Sequence, residues 1–252
     1  MVKRGGMLLS PLVAVLTSLS LQSADPGSAK LRTIFEKYSK MRGLEAVVAR
    51  SYREKDGGPF FPDRQMTLWY DGPSRFRILG TSVWGDATLY IADGKDLYID
   101  PLDDNRPATI REMGGKTLMT SSGELRGGDG VAFVYYLLEG PSSLQRLLAP
   151  GSSVKELAGG ALQFQSRDMG TVTVYPNSQK LVERVEYDNL PTAKALYRLV
   201  PMWVDRPQQP LQREDMDYVR VGERLPKGLF DTKPPKGRRV TDQRKKKSAI
   251  GS

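Results

Sequence analysis

Two residue types that carry much of enzyme chemistry near neutral pH are missing: the 252-residue chain has no histidine and no cysteine. Without imidazole the usual general base, proton shuttle and commonest metal ligand are absent. Ser-His-Asp and Cys-His sites cannot be assembled, and zinc or thiolate chemistry through cysteine is excluded. What remains is carboxylate- or lysine-based chemistry, and its candidates are weak. The acidic run at 100–105 (DPLDDN) offers the hard oxygen ligands calcium prefers, but not the spacing, Gly and Glu of an EF-hand loop. Gly127-Gly128-Asp129-Gly130 looks like a phosphate loop only in composition, because no Gly-Lys-Ser/Thr follows. No two carboxylates can be singled out as acid and base, since sequence fixes no distance between them. The residue types therefore point to binding: no catalytic residue, metal or cofactor is expected.

Charge narrows the partners. The formal net charge is +9, and residues 236–247 (KGRRVTDQRKKK) hold seven Lys or Arg against one Asp. With Lys3 and Arg4 near the start, the segment between is close to neutral. The basic character belongs to a tail, residues 238–252, which reads as disordered and solubilising. Its Arg238, Arg239, Arg244, Lys245, Lys246 and Lys247 are the candidates for contact with an anionic membrane surface. Nucleic acid is not expected, because basic residues are neither interleaved with aromatics nor set along a recognition helix.

The elements that would position a binding site lie between two flanks. Residues 7–21 (MLLSPLVAVLTSLSL) are apolar and uncharged and follow a positive start. At this length they fall short of the roughly 20 residues that span a bilayer. Residues 1–24 are thus expected to be a secretory signal cleaved near 24–29, with an uncleaved anchor as the rival. One domain is expected over 28–237. Residues 28–42 read as an amphipathic helix capped by Ser28, with Leu31, Ile34, Phe35, Tyr38 and Met41 at helical spacing and Gly43 at its end. Strand patterns follow at 44–54, 64–70, 75–80, 88–92, 96–100 and 108–113, with hairpin signals at Asp71-Gly72-Pro73 and Asp93-Gly94. Residues 113–130 read as loop. The apolar stretch 131–138 is a buried helix or strand, with helix preferred, and 142–148 a second helix capped by Ser142. Strands resume at 161–166, 171–175, 181–187 and 216–221, with a further candidate at 195–204. Helix, strands, helix pair, strands implies a mainly β (α+β) fold: a large antiparallel sheet with helices on one face.

The stretch 66–80 (MTLWYDGPSRFRILG) followed by 87–100 (ATLYIADGKDLYID) resembles the LolA/LolB lipoprotein-carrier family. The resemblance lies in a strand at 67–70, Pro73, Phe76-Arg77, an apolar strand at 89–92 ending in Asp93-Gly94-Lys95, and an aromatic strand at 97–99. The Leu229-Phe230-Asp231 and Pro234-Pro235-Lys236-Gly237 pieces are similar to the end of LolA-like proteins of unassigned function. The likeness implies a curved antiparallel half-barrel sheet with helices closing the concave face, and a periplasmic carrier or sensor. Its ligand class would be a lipid, the acyl chains of a lipoprotein, or another apolar molecule. The implied cavity lining is Met66, Leu68, Tyr70, Phe76, Ile78, Leu89, Ile91, Leu97 and Ile99. LolA-like domains also occur in envelope regulators, which implies the alternative of a protein-interaction module carrying no ligand. With no cysteine, the lipid anchor of a LolB-like acceptor is not available.

Overall fold

The computed structural model describes residues 25–53, 58–122, 132–167, 169–188 and 211–244. The expected signal, the strand at 195–204 and Lys245, Lys246 and Lys247 lie outside the described residues. No described helix is long and apolar enough to cross a membrane.

Local sequence sets the first element. Asp25 caps α1 (Pro26–Ser39) by accepting the Ser28 backbone N–H at 2.7 Å, and Pro26 opens the helix where its missing N–H costs nothing. Ser28 is therefore the capped residue rather than the cap. Leu31, Ile34, Phe35 and Tyr38 form the buried stripe. The helix ends at Ser39, and Gly43 (φ +67°) turns the chain into β1. A side chain at Gly43 would collide with the Glu223 carbonyl 1.6 Å from its Cβ.

The strands are β1 (Leu44–Arg53), β2 (Phe61–Tyr70), β3 (Arg75–Ser82), β4 (Ala87–Asp93), β5 (Asp96–Asp100) and β6 (Ala108–Glu112). After the helices come β7 (Lys155–Glu156), β8 (Leu162–Ser166), β9 (Gly170–Pro176), β10 (Val182–Tyr187), β11 (Leu211–Arg220) and β12 (Val240–Asp242). All join one sheet in the order β12-β6-β5-β4-β3-β2-β1-β11-β10-β9-β8-β7. Every pairing is antiparallel except β12 with β6, which is parallel. The basic segment beyond Gly237 was expected to be disordered; instead residues 238–244 dock, and Val240–Asp242 adds the edge strand.

Four short helices cover one face of this open, curved sheet. Residues 113–130 were read as loop, yet Leu118–Ser122 forms α2, which buries Leu118. The apolar stretch resolves as helix α3 (Phe133–Glu139), and α4 (Pro141–Leu147) follows. Gly140, not Ser142, stands at the α4 N-cap, with Pro141 at the first helical position. The β3 burial pattern alternates strictly, so one face looks inward to the helices and the other outward. The inner face and the helices share one core, while a smaller outer cluster unites Ile91, Tyr98, Ala108, Ile110, Leu225 and Phe230.

Candidate functional site

The inner face is built by cross-strand register. Met66, Leu68 and Tyr70 on β2 face Gly80, Ile78 and Phe76 on β3, and Phe76 and Ile78 face Ala92 and Tyr90 on β4. On β5, Leu97 lies opposite Ala92 and Ile99 opposite Tyr90. Met66, Leu68, Tyr70, Phe76, Ile78 and Leu97 are buried in the main core, and Ile99 packs against it. Leu89 and Ile91 are not among them. They point outward into the second cluster, and Tyr90 and Ala92 take the inner positions. The reason is physical. Residues 89–92 are apolar on both faces because the C-terminal segment covers the outside of β4–β6, so alternation carries no parity signal there.

The helices fill much of the inner face. The Phe35 and Phe133 rings meet edge to face with centroids 6.2 Å apart. An opening remains between the end of α1, α2, α3 and the β2–β3 turn, a pocket of about 250 Å3. Tyr70, Pro73, Leu118, Met119, Tyr135 and Leu138 give it an apolar wall, and Arg42 and Glu139 stand in its lining. The Leu118 N–H donates to the Pro73 carbonyl at 2.6 Å, which ties α2 to the β2–β3 turn. Of the expected lining only Tyr70 reaches this pocket. Leu118 and Met119 escaped the sequence reading because their Gly-, Ser- and Thr-rich surroundings hide a single helical turn.

The polar groups on this face are fixed rather than reactive. Burial pushes the Tyr70 hydroxyl up to about 12, and Tyr38 likewise. Tyr38 pairs with the Tyr218 hydroxyl and accepts the Val182 N–H at 2.8 Å. Glu214 on β11 is fully buried. Its carboxylate accepts the Phe133 N–H at 2.7 Å and the Tyr187 hydroxyl at 2.9 Å. Burial raises the Glu214 pKa, while Arg50, its partner in the β1–β11 register, works against that. Among the described residues no three His, Cys, Asp or Glu side chains converge as metal ligands.

The arginines expected to meet a membrane are engaged within the chain. Arg238 forms a bidentate pair with Asp100 (2.6 and 3.0 Å) and donates to the Arg106 carbonyl. Arg239 donates to the Asp104 and Asn105 carbonyls. Arg244 bonds Asp242 and reaches Asp96 at 3.2 Å. The acidic run at 100–105 is thus the dock for this segment.

Fold and site together define a class: an open antiparallel half-barrel whose apolar inner face is closed by helices. No sequence-family model matches the chain, and no curated protein does. Among solved structures it is similar to a DUF1329 family protein from Desulfovibrio piger, at 11% identity over 82% of this chain and 96% of that one, with a TM-score of 0.36. It is also similar to a LolA superfamily protein from Nitrosomonas europaea, at 13% identity over 79% and 96%, with a TM-score of 0.33. At this level the likeness is one of chain course; the half-barrel stands on its own strand order.

Proposed function

We propose that the protein is a periplasmic carrier or sensor that takes an apolar ligand, a lipid or the acyl chains of an acylated protein, between its inner sheet face and α2–α3. The observation that supports this reading is the pocket at Tyr70, which leads from the surface to a continuous apolar layer. Burying apolar surface contributes about 25 cal/mol per Å2, so such a site needs no activated group. At about 250 Å3 the pocket is smaller than the roughly 300–1,000 Å3 typical of ligand sites, so a bound chain must displace side chains. The five-residue α2, too short to be stable alone, and the adaptable Met119 are the parts that can yield.

Native mass spectrometry tests this after incubation with a diacyl phosphatidylethanolamine or a diacylated lipopeptide. A stoichiometric adduct that Met119→Trp abolishes supports the reading; no adduct with either probe sinks it. The packed inner face also favours a second reading, a protein-interaction module with no carried ligand. Its surface candidate is the β3–β4 turn, where Trp84 is 87% exposed beside Val83. A clean apo mass together with a stable complex lost in Trp84→Ser would favour that module.

A further inference from the structure

The pocket at Tyr70 has a mostly apolar wall, yet two of its polar groups have bonding capacity to spare. We infer that it takes an amphiphile with an oxyanion head, a carboxylate or a phosphate, bound by Arg42 and the Tyr70 hydroxyl while the tail lies against Leu118, Met119 and Leu138. The inference rests on this pocket being the binding site and adds the chemistry of the head. Tyr70 is 1% exposed, and its hydroxyl makes no hydrogen bond among the described residues. A buried hydroxyl left in this way costs free energy, which a ligand oxygen would recover. Burial keeps the group protonated, so it can only donate to such an oxygen. The other hydroxyls of the lining are already engaged. Ser39 donates to the Glu36 carbonyl at 2.9 Å, Thr117 shares a bond with Thr120, and Tyr135 donates to the Met66 sulfur.

Arg42 supplies the charge. It stands at the exposed rim, laid along the β2–β3 turn, where a Cβ on Gly72 would lie 3.6 Å from its Nε. Its Nη1 donates to the Met41 carbonyl at 2.6 Å, which holds the guanidinium in place and leaves its other N–H donors available. No carboxylate among the described residues pairs with it. The nearby acids belong to other arginines: Asp71 pairs with Arg75 at 3.5 Å, and Glu139, also in the lining, pairs with Arg146. Glu223, whose carbonyl packs on Gly43, is exposed and stands outside the lining. The rim therefore keeps one uncompensated positive charge. That charge reaches the Tyr70 hydroxyl, where it opposes the effect of burial. A guanidinium and a phenol donating towards the same point favour an oxyanion over a neutral or cationic head.

Isothermal titration of the full chain tests this with amphiphiles that share one tail length and differ in the head: dodecanoate, dodecyl phosphate, neutral monolaurin and dodecyltrimethylammonium, each below its micelle concentration. The anions should bind saturably and at least about tenfold tighter than monolaurin, the worth of one charge-assisted contact, with the cation weakest. The tighter of the two anions names the head, a fatty carboxylate or a phosphate ester. Arg42→Gln should erase the advantage of the anions and leave monolaurin unchanged. Tyr70→Phe should weaken both anions severalfold at an unchanged melting temperature. Equal affinity for all the heads, tightest binding of the cation, or an anion preference untouched by Arg42→Gln would overturn the inference and leave the pocket standing as an apolar site. Failure of every amphiphile to bind, monolaurin included, would sink the inference together with the pocket.

Discussion

Glu214 is the residue whose setting departs furthest from its type. It follows Gln212-Arg213 and precedes Asp215, a polar run ahead of the strand expected at 216–221, and no sequence signal marks it as interior. Pairing Glu214 with Arg50 and placing it under the first N–H of α3 ties a strand to the helix that closes the inner face. Burial outweighs these partners and lifts its folded pKa above the ordinary carboxyl value, near 4.3 when unfolded. A carboxyl raised by folding stabilises fully below its unfolded pKa, and that contribution is lost as pH rises through the folded value. Glu214→Gln keeps an acceptor for the Phe133 N–H and removes the titration. The wild-type minus variant stability, from urea melts at a series of pH values, should therefore fall as pH rises above about 4.3. A difference independent of pH contradicts the assignment. Glu214→Leu strands both donors and deprives Arg50 of a facing charge, and should cost about 3 kcal/mol.

At the scale of elements, what the sequence shows and what it hides can be separated by cause. Asp25 lies beyond the amphipathic stripe it starts, so periodicity placed the cap at Ser28, although Asp25 bonds both the N–H and the hydroxyl of Ser28. Asp25→Ala should cost about 1 kcal/mol, and Ser28→Ala clearly less, in thermal melts. Equal losses would return the cap to Ser28. The Asp93-Gly94 turn was legible because Asp-Gly allows few backbones, and β5 begins and ends as expected at Asp96–Asp100. The inner face of β2, β3 and β5 was legible from alternation, whereas β4, apolar on both sides, showed its direction only through register with Phe76 and Ile78. Met216 was expected to open its strand, but β11 starts at Leu211: Arg213, Glu214 and Asp215 show no apolar alternation in the sequence, yet they are ladder residues paired with β1. β12 is three residues of a basic run in a parallel pairing, which no local pattern announces.

Across the whole molecule, one sheet is treated differently along its length. The C-terminal segment seals the outer side over β4–β6 and reaches Trp69 of β2 and Arg77 of β3, while Ala49, Gln65 and Thr81 further along β1–β3 stay exposed. Leu225 and Phe230 join Ile91, Tyr98, Ala108 and Ile110, the Thr232 hydroxyl bonds Asp93, and Arg238 closes over Asp100. The basic residues that suggested a membrane contact are thus part of what makes this half of the sheet two-sided. Asp100 also accepts the Tyr98 hydroxyl at 2.7 Å, and the neighbouring guanidinium holds its carboxyl below the usual range despite burial. A carboxyl depressed by folding stabilises above its unfolded pKa, near 3.9, and that contribution is lost as pH falls through the folded value. Arg238→Ala leaves an ionised, buried Asp100 without its cation at neutral pH, so the variant should melt below the wild type at pH 7. The gap should narrow towards pH 3, where Asp100 is protonated in the variant and no longer needs a partner. Arg238→Ala in an Asp100→Asn background should do little at either pH. A melting difference that is the same at pH 7 and pH 3, and survives Asp100→Asn, would mean that the segment is held by its apolar residues alone and that the pair is incidental.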